Sequence, residues 1–423
     1  MQVAFHSFGC RLNFSETELM SRSLEQRGCE ITDSVEAADI CVINTCTVTE
    51  RSDMKCRQLI RSIQRRNPSA KIAVVGCYSQ MAGDEIAEIG TEHKLHLARY
   101  LDLIEQSDAP IVRTGKISKD HFTIDYTGRT QNTRANLKVQ DGCDFFCSFC
   151  IIPFARGRSR ARVFEDILGE ARRLGETGHR EIILTGVNIG TYQYDDYQLR
   201  HILDVLEGVP GIDRIRISSI EPTTVPEDIF DRMNDPASKL VPFLHLPLQS
   251  ANDRVLDDMR RRYKYQEYAD YVWKAYEAVP GICIGTDIMT GFPTENQDYF
   301  EDTLQKLTEL PLHYFHVFPY SERQGTRSAG MPERVSAQDI QHRALLLREL
   351  SDRKRLAYNQ SFVGSVLPVL FEEHEHEVGW KGYTPNYIRA VVSASDNLRG
   401  QIKNCRVLSA YETHVSAEIV SEI

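Results

Sequence analysis

Three cysteines, Cys143, Cys147 and Cys150, crowd one loop directly after an apolar run that predicts a strand over Leu137–Gln140. Thiolates so placed can face one soft metal centre. A closed structural zinc site needs a fourth ligand, and no Cys or His follows within twenty residues of Cys150. A cubane iron–sulfur cluster held by three cysteines leaves one iron open to a ligand from outside the chain. S-adenosylmethionine can take that position through its amine and carboxylate. Reductive cleavage of its sulfonium then gives a carbon-centred radical, chemistry that belongs to the cofactor.

The loop opens a long alternation of strands and helices. Candidate strands are Leu137–Gln140, Glu181–Thr185, Arg214–Ser218, Pro242–Leu246, Ile282–Met289 and Tyr314–Pro319, with helical patterns at Phe164–Glu176, Tyr265–Val279 and Asp298–Leu310. Six such units are too few for a closed eight-fold barrel, so a partial barrel is expected, left by a helix over Ala337–Tyr358. Upstream, Val3–Phe8, Asp39–Asn44 and Lys71–Gly76 alternate with helices at Ser15–Gln26, opened by a capping box of Ser15 and Glu18, and Arg51–Arg66. This predicts a small open parallel sheet. Residues 91–130 read as a variable stretch and linker. Beyond residue 361 the short runs Val363–Phe371, Tyr387–Val392, Gln401–Ala410 and Thr413–Val420 predict a small antiparallel barrel. The fold class is therefore α/β, divided at 1–115, 130–360 and 361–423.

Cys10, Cys46 and Cys77 each sit just past the carboxyl end of a predicted N-terminal strand, where open α/β sheets assemble their sites. Neighbouring strands lie about 4.8 Å apart, so three such loops can converge on a second cluster with three ligands; buried sheet-end thiols are the alternative. Cys29, Cys41, Cys56, Cys283 and Cys405 show no such pattern, and Cys41 reads as core. Eleven cysteines without a signal-like N-terminus point to a reducing compartment and metal chemistry rather than disulfides. A cytoplasmic location is expected, and no apolar run is long enough to span a bilayer.

These segments resemble the methylthiotransferase family of radical S-adenosylmethionine enzymes. The resemblance is carried by Ser7-Phe8-Gly9-Cys10-Arg11-Leu12-Asn13, Asn44-Thr45-Cys46-Thr47-Val48, Gly76-Cys77-Tyr78-Ser79-Gln80 and the stretch Leu137–Gly157. It extends through Ser219-Ile220-Glu221-Pro222, His245-Leu246-Pro247-Leu248-Gln249-Ser250, Asp287–Pro293 and Tyr320–Thr326. It implies an N-terminal domain with an auxiliary [4Fe-4S] cluster, a partial (β/α)6 radical S-adenosylmethionine barrel with a second, and a C-terminal TRAM barrel that binds substrate; Gly382–Tyr387 resembles the TRAM segment. It also implies a two-stage reaction. One S-adenosylmethionine methylates sulfur at the auxiliary cluster, and a second is cleaved so that a C–H bond becomes C–S–CH3. Family members usually carry a further short apolar strand after the third cysteine, whereas Ile89–Lys94 here runs straight into a helical pattern.

Within the family, Gly9-Cys10-Arg11-Leu12-Asn13-Phe14-Ser15-Glu16 resembles the branch acting on N6-threonylcarbamoyladenosine at tRNA position 37. The other branches act on N6-isopentenyladenosine in tRNA or on an aspartate of a ribosomal protein. A non-catalytic iron–sulfur RNA-binding or redox-sensing protein is the reading from another class, and it predicts closed four-ligand sites. The partners implied are the tRNA anticodon loop and an electron donor such as flavodoxin or ferredoxin, with the enzyme a monomer. For the cofactor, the strand-end residues Gly186, Asn188, Ser219, Glu221 and Gly291 are candidates, and helix capping explains such residues equally well. Arg156, Arg158, Arg160 and Arg162 are expected to hold RNA phosphates. Two further basic groups are Arg57–Arg66 and Arg260–Lys264. The net charge of −10 gives no bulk attraction to RNA, so binding needs a local field. Residues 361–423, with five Lys/Arg and eight Asp/Glu, would use shape, stacking by Tyr383 and Tyr387, and placed cations such as Lys381 and Arg389.

Overall fold

The computed structural model describes residues 1–82, 88–91, 93–106, 112–124 and 133–420. Its first sheet is wholly parallel, in the order Glu30–Thr32, Gln2–Ser7, Ile40–Thr45, Lys71–Gly76, Glu88–Ile89 and Val112–Arg113. Ile40–Thr45 is buried along its whole length, as a central strand covered on both faces must be. Val3, Val42 and Ala73 pack under Met20, Leu24 and Leu97 on one face. Ala4, Ile43 and Val74 pack under Cys56, Ile60 and Ile63 on the other.

Two sequence expectations change here. The first helix spans Arg11–Gln26 with Cys10 at its N-cap, so Ser15 is an interior, buried residue and not the cap. The strand that seemed missing after Cys77 exists as Glu88–Ile89, paired with Val74 and Val75. Two residues are too short to show alternation. Of the stretch read as a linker, residues 92, 107–111 and 125–130 lie outside the described residues.

The second region carries six parallel strands whose spatial order follows the chain. Arg134–Lys138, Glu181–Thr185 and Arg214–Ile217 form one sheet, and Phe243–His245, Cys283–Thr290 and Tyr314–Pro319 another. A single bridge, Ile215 to Leu240, joins them. Their outward side chains, including Leu137, Ile182, Leu184, Ile215 and Ile284, make one core with the surrounding helices. The inward side chains are largely polar, which suits a barrel that houses chemistry at its carboxyl end.

The last five strands, Val366–Glu375, Gly379–Tyr383, Arg389–Val392, Ile402–Ala410 and Val415–Ile419, close into a barrel. Gly379–Tyr383 escaped the sequence reading because two glycines break its pattern. This small barrel stops the amino end of the larger one. Arg214 donates to the carbonyls of Tyr383 (2.9 Å) and Pro368 (2.8 Å), and Arg216 to that of Pro385 (2.9 Å). The guanidinium of Arg216 lies 5.0 Å from the Tyr387 ring centre, and that of Arg134 lies 4.4 Å from Tyr383. The two tyrosines expected to stack on RNA are therefore engaged by barrel arginines.

His313 stands near this junction. The Ile284 N–H donates to its Nδ1 (2.9 Å), and its ring lies 4.1 Å from Tyr358. Burial lowers its pKa to about 4. Because the folded pKa lies below the unfolded value near 6.5, stability from neutral His313 is present above pH 6.5 and is lost as pH falls toward 4. The loss is on the order of 3 kcal/mol at one pKa unit per ~1.4 kcal/mol. Denaturant unfolding at pH 7 and pH 4.5 is expected to show a smaller acid loss in His313→Gln than in wild type.

Candidate metal centres around one cavity

Cys10, Cys46 and Cys77 follow three adjacent strands of the first sheet. Two glycines make the approach possible. Gly9 and Gly76 both have φ of +102°, and a methyl group on Gly9 would lie 2.4 Å from Cys46 Cβ and 2.7 Å from its Sγ. Thr45 Oγ1 donates to the Val75 carbonyl (2.6 Å) and accepts from Tyr78 N–H (3.1 Å), tying the second cysteine's strand to the third's. Asn13 Nδ2 donates to the carbonyls of Phe8 (2.9 Å) and Thr45 (2.8 Å), which fixes the first loop to the second. Burial pushes the Cys46 thiol up to about 11, so at neutral pH binding a metal here releases its proton.

The loop of Cys143, Cys147 and Cys150 is equally constrained. A methyl on Gly142 would lie 2.0 Å from the Arg158 carbonyl oxygen. Ser148 is held by its N–H to Met259 O (2.9 Å) and its Oγ to Asp258 O (2.7 Å). Arg262 donates to Asp144 O and covers the Phe145 ring at 3.8 Å. Arg261, buried, donates to Glu221 Oε2 (2.5 Å) and lies 3.5 Å from Cys147 Sγ. The second basic group thus braces the cysteine loop. Burial raises Cys150 to about 12.

The segment just after Cys46 and the end of the Cys143–Cys150 loop meet at one cavity. It is lined by Val48 and Thr49 beyond Cys46, by Cys150, and by Gln249, Asp287 and Met289 from the barrel. Asp287 accepts from His245 Nε2 (3.0 Å) and lies 3.3 Å from His316 Nδ1. Burial alone would raise Asp287, but these two imidazoles hold it well below the usual carboxylate range. The sequence motifs include His245 and Asp287 without marking a role for either, and His316 falls outside them. Only strand pairing, which sets Asp287 beside His316, joins them.

Of the cofactor candidates, Gly186 and Asn188 lie in a loop organised by Gln140, whose Oε1 accepts from Val187 N–H (3.0 Å) and Asn188 N–H (2.8 Å). Gln140 Nε2 donates to Gly142 O (2.7 Å), so the same side chain holds the cysteine loop. Asn188 is 3% exposed, and both polar atoms of its amide lack a hydrogen-bond partner, as do Thr185 Oγ1 and Asn136 Oδ1. Orphaned polar groups at strand ends fit a polar ligand in the barrel. Glu221 faces Arg261, and Ser219 is half-buried just upstream of it. Gly291 is explained by packing: φ is +77°, and a methyl there would meet Ile340 at 2.2 Å.

The arginine series needs correction. Arg156 is 1% exposed and bonds to Glu16, Asp141 (3.0 Å) and Asn13 (2.6 Å). Arg162 is fully buried on Asp166 and Glu170, and Arg160 is buried beside Asp141. Guanidiniums so enclosed cannot track phosphates. Only Arg158 is exposed, paired with Asp144 (2.9 Å). Burial would raise Glu16, but Arg156, Lys138 and Lys94 lower it well below its usual range.

Residues 2–98 match the family described as uncharacterized protein family UPF0004, and residues 137–307 match the radical SAM superfamily. The threonylcarbamoyladenosine tRNA methylthiotransferase MtaB of Bacillus subtilis (strain 168) is 38% identical, over 96% of this chain and 94% of its own. The chain belongs to the radical S-adenosylmethionine methylthiotransferase family. MtaB of Aquifex aeolicus (strain VF5) is 35% identical over 92% of this chain and 96% of its own. A tRNA-2-methylthio-N(6)-dimethylallyladenosine synthase of a Wolbachia strain is 29% identical over 98% of both chains. Among solved structures, the radical S-adenosylmethionine methyltransferase TsrM of Kitasatospora setae matches with a TM-score of 0.54 and 14% identity, over 75% of this chain and 72% of that one. That likeness concerns the fold alone. Family membership implies S-adenosylmethionine and a [4Fe-4S] cluster, and the orphaned amide of Asn188 and the open three-thiolate loop fit them.

Gly9→Ala is expected to lower the iron bound per chain after anaerobic reconstitution, because its methyl occupies the space of the Cys46 side chain. Gly28→Ala is the control: φ is +85° but nothing lies within 4 Å. It should cost only about 1–2 kcal/mol of backbone strain and keep the wild-type iron content.

Proposed function

We propose that this enzyme converts N6-threonylcarbamoyladenosine at position 37 of tRNA to its 2-methylthio derivative, using two [4Fe-4S] clusters. The observation that carries the chemistry is the shared cavity. The segment after Cys46 and the loop of Cys150 both line it, so a base admitted there lies beside Cys150 and close to the chain that follows Cys46. The substrate assignment is supported by full-length similarity to enzymes named for threonylcarbamoyladenosine. The motif Cys10-Arg11-Leu12-Asn13 supports it too.

The bound clusters and S-adenosylmethionine supply radical hydrogen abstraction and the methylated sulfur. The chain's own residues do the rest. Asn13 and Gly9 draw the Cys10 and Cys46 loops together, Thr45 ties them to the Cys77 strand, and Arg261 and Arg262 hold the second loop in shape. Asn188 offers an unpaired donor and acceptor to the cofactor, and Gln249, Asp287 and Met289 face the base. The target adenine is unpaired in the anticodon loop, so it can leave its stack at a modest cost. Arg158, with Arg61 and Arg65 exposed on the Glu50–Arg66 helix, supplies cations for the flanking phosphates. Flavodoxin or ferredoxin would deliver electrons, in the cytoplasm.

Replacing Cys143, Cys147 and Cys150 by Ala should abolish 5′-deoxyadenosine formation. Replacing Cys10, Cys46 and Cys77 should leave that product measurable while methylthiolated nucleoside disappears. In cells, mass spectrometry after gene deletion should find the unthiolated threonylcarbamoyl nucleoside in place of its 2-methylthio form. Loss of the isopentenyl counterpart instead would assign the enzyme to the other tRNA branch.

A further inference from the structure

The ion cluster between the first sheet and the barrel does not balance. Glu16 meets Lys94 (2.5 Å), Lys138 (2.7 Å) and Arg156 (2.9 Å), while Asp141 meets Lys138 (2.7 Å) and Arg156 (3.0 Å). Every one of these side chains is at most 4% exposed. Two carboxylates thus face three enclosed cations, and Arg160 adds a fourth 3.8 Å from Asp141. The neighbouring acids Asp166 and Glu170 are occupied by Arg162. A buried cation without a counter-charge is strongly unfavourable.

The position of the surplus is informative. Arg156 donates to Asn13, whose amide grips the chain just before Cys10 and Cys46. The helix that ends at Arg156 packs on the helix that begins at Cys77, and Thr91 Oγ1 donates to Ala155 O (2.7 Å) between them. Asp141 lies two residues before Cys143, so one cluster of charges touches the supports of both metal loops. A four-iron core held by three thiolates is net anionic, and more so after reduction.

We infer that the cluster held by Cys10, Cys46 and Cys77 is the missing counter-charge of this ion cluster, so that its assembly locks the first sheet onto the barrel and fixes the separation of the two metal centres. Glu16, Lys94 and Arg156 are then positioning residues. The inference rests on the reading of those three cysteines as cluster ligands.

Hydrogen exchange read by mass spectrometry tests it on full-length protein reconstituted anaerobically. Wild type is compared with the Cys10→Ala/Cys46→Ala/Cys77→Ala variant, in peptides covering residues 11–26 and 150–158. Exchange there should be at least tenfold faster in the triple variant. Lys94→Met, which removes one surplus charge, should slow exchange in the triple variant and speed it in the wild-type background. Should the triple variant not fold, Cys77→Ser carries the same comparison. Unequal iron contents with equal exchange would overturn this inference alone, as would Lys94→Met acting in the same direction in both backgrounds. Equal iron in wild type and variant would overturn the ligand assignment and the inference with it.

Discussion

The arrangement of this enzyme depends on Arg156. Its guanidinium is almost fully enclosed, and it reaches Glu16 and Asn13 of the first sheet's leading helix and Asp141 at the entrance to the Cys143–Cys150 loop. Removing one partner from such a buried group typically costs about 3–5 kcal/mol, because the remaining charges are left unpaired. The contact thus specifies one docking geometry rather than adding general adhesion. Through Asn13 the same bond reaches the backbone before Cys10 and Cys46, so these two cysteine loops are held from the interface outward.

The opposite end of the barrel repeats the strategy with different partners. Arg134 pairs with Glu372, and Arg216 pairs with Glu181 while donating to the Pro385 carbonyl. The small β-barrel is thereby fastened under the strands by charges that face inward. Its acidic stretch is partly explained by this: Glu372 serves Arg134, and Glu375 is paired with Lys381. The His245–Asp287–His316 group lies between these two ends, and its Asp287 lines the same cavity as Cys150.

Much of the fold was legible because strand and helix periods recur in order. Glu181–Thr185, Tyr314–Pro319 and Phe164–Glu176 match their expected bounds. The failures have local causes. Ser15 and Glu18 have capping-box spacing, yet the chain turns into its helix at Cys10, because Gly9 allows the tight approach to Cys46. Glu88–Ile89 pairs through two residues only, below the length at which alternation is visible. Gly379–Tyr383 is a strand by closure of the barrel rather than by composition.

For the candidate site, Cys143, Cys147 and Cys150 share one loop, and groups on one loop are brought together by spacing along the chain without long-range information. Cys10, Cys46 and Cys77 follow adjacent parallel strands as expected, a placement that strand order alone dictates. The fate of the arginines was not written locally. Arg156, Arg158, Arg160 and Arg162 alternate along the sequence as one basic series, but only Arg158 faces solvent. The carboxylates that claim the others lie 140 residues away at Glu16, before the cysteine loop at Asp141, or on the next helix at Asp166 and Glu170. Whether a guanidinium meets a phosphate or a buried carboxylate is decided by which surfaces pack together, and that is a property of the tertiary structure.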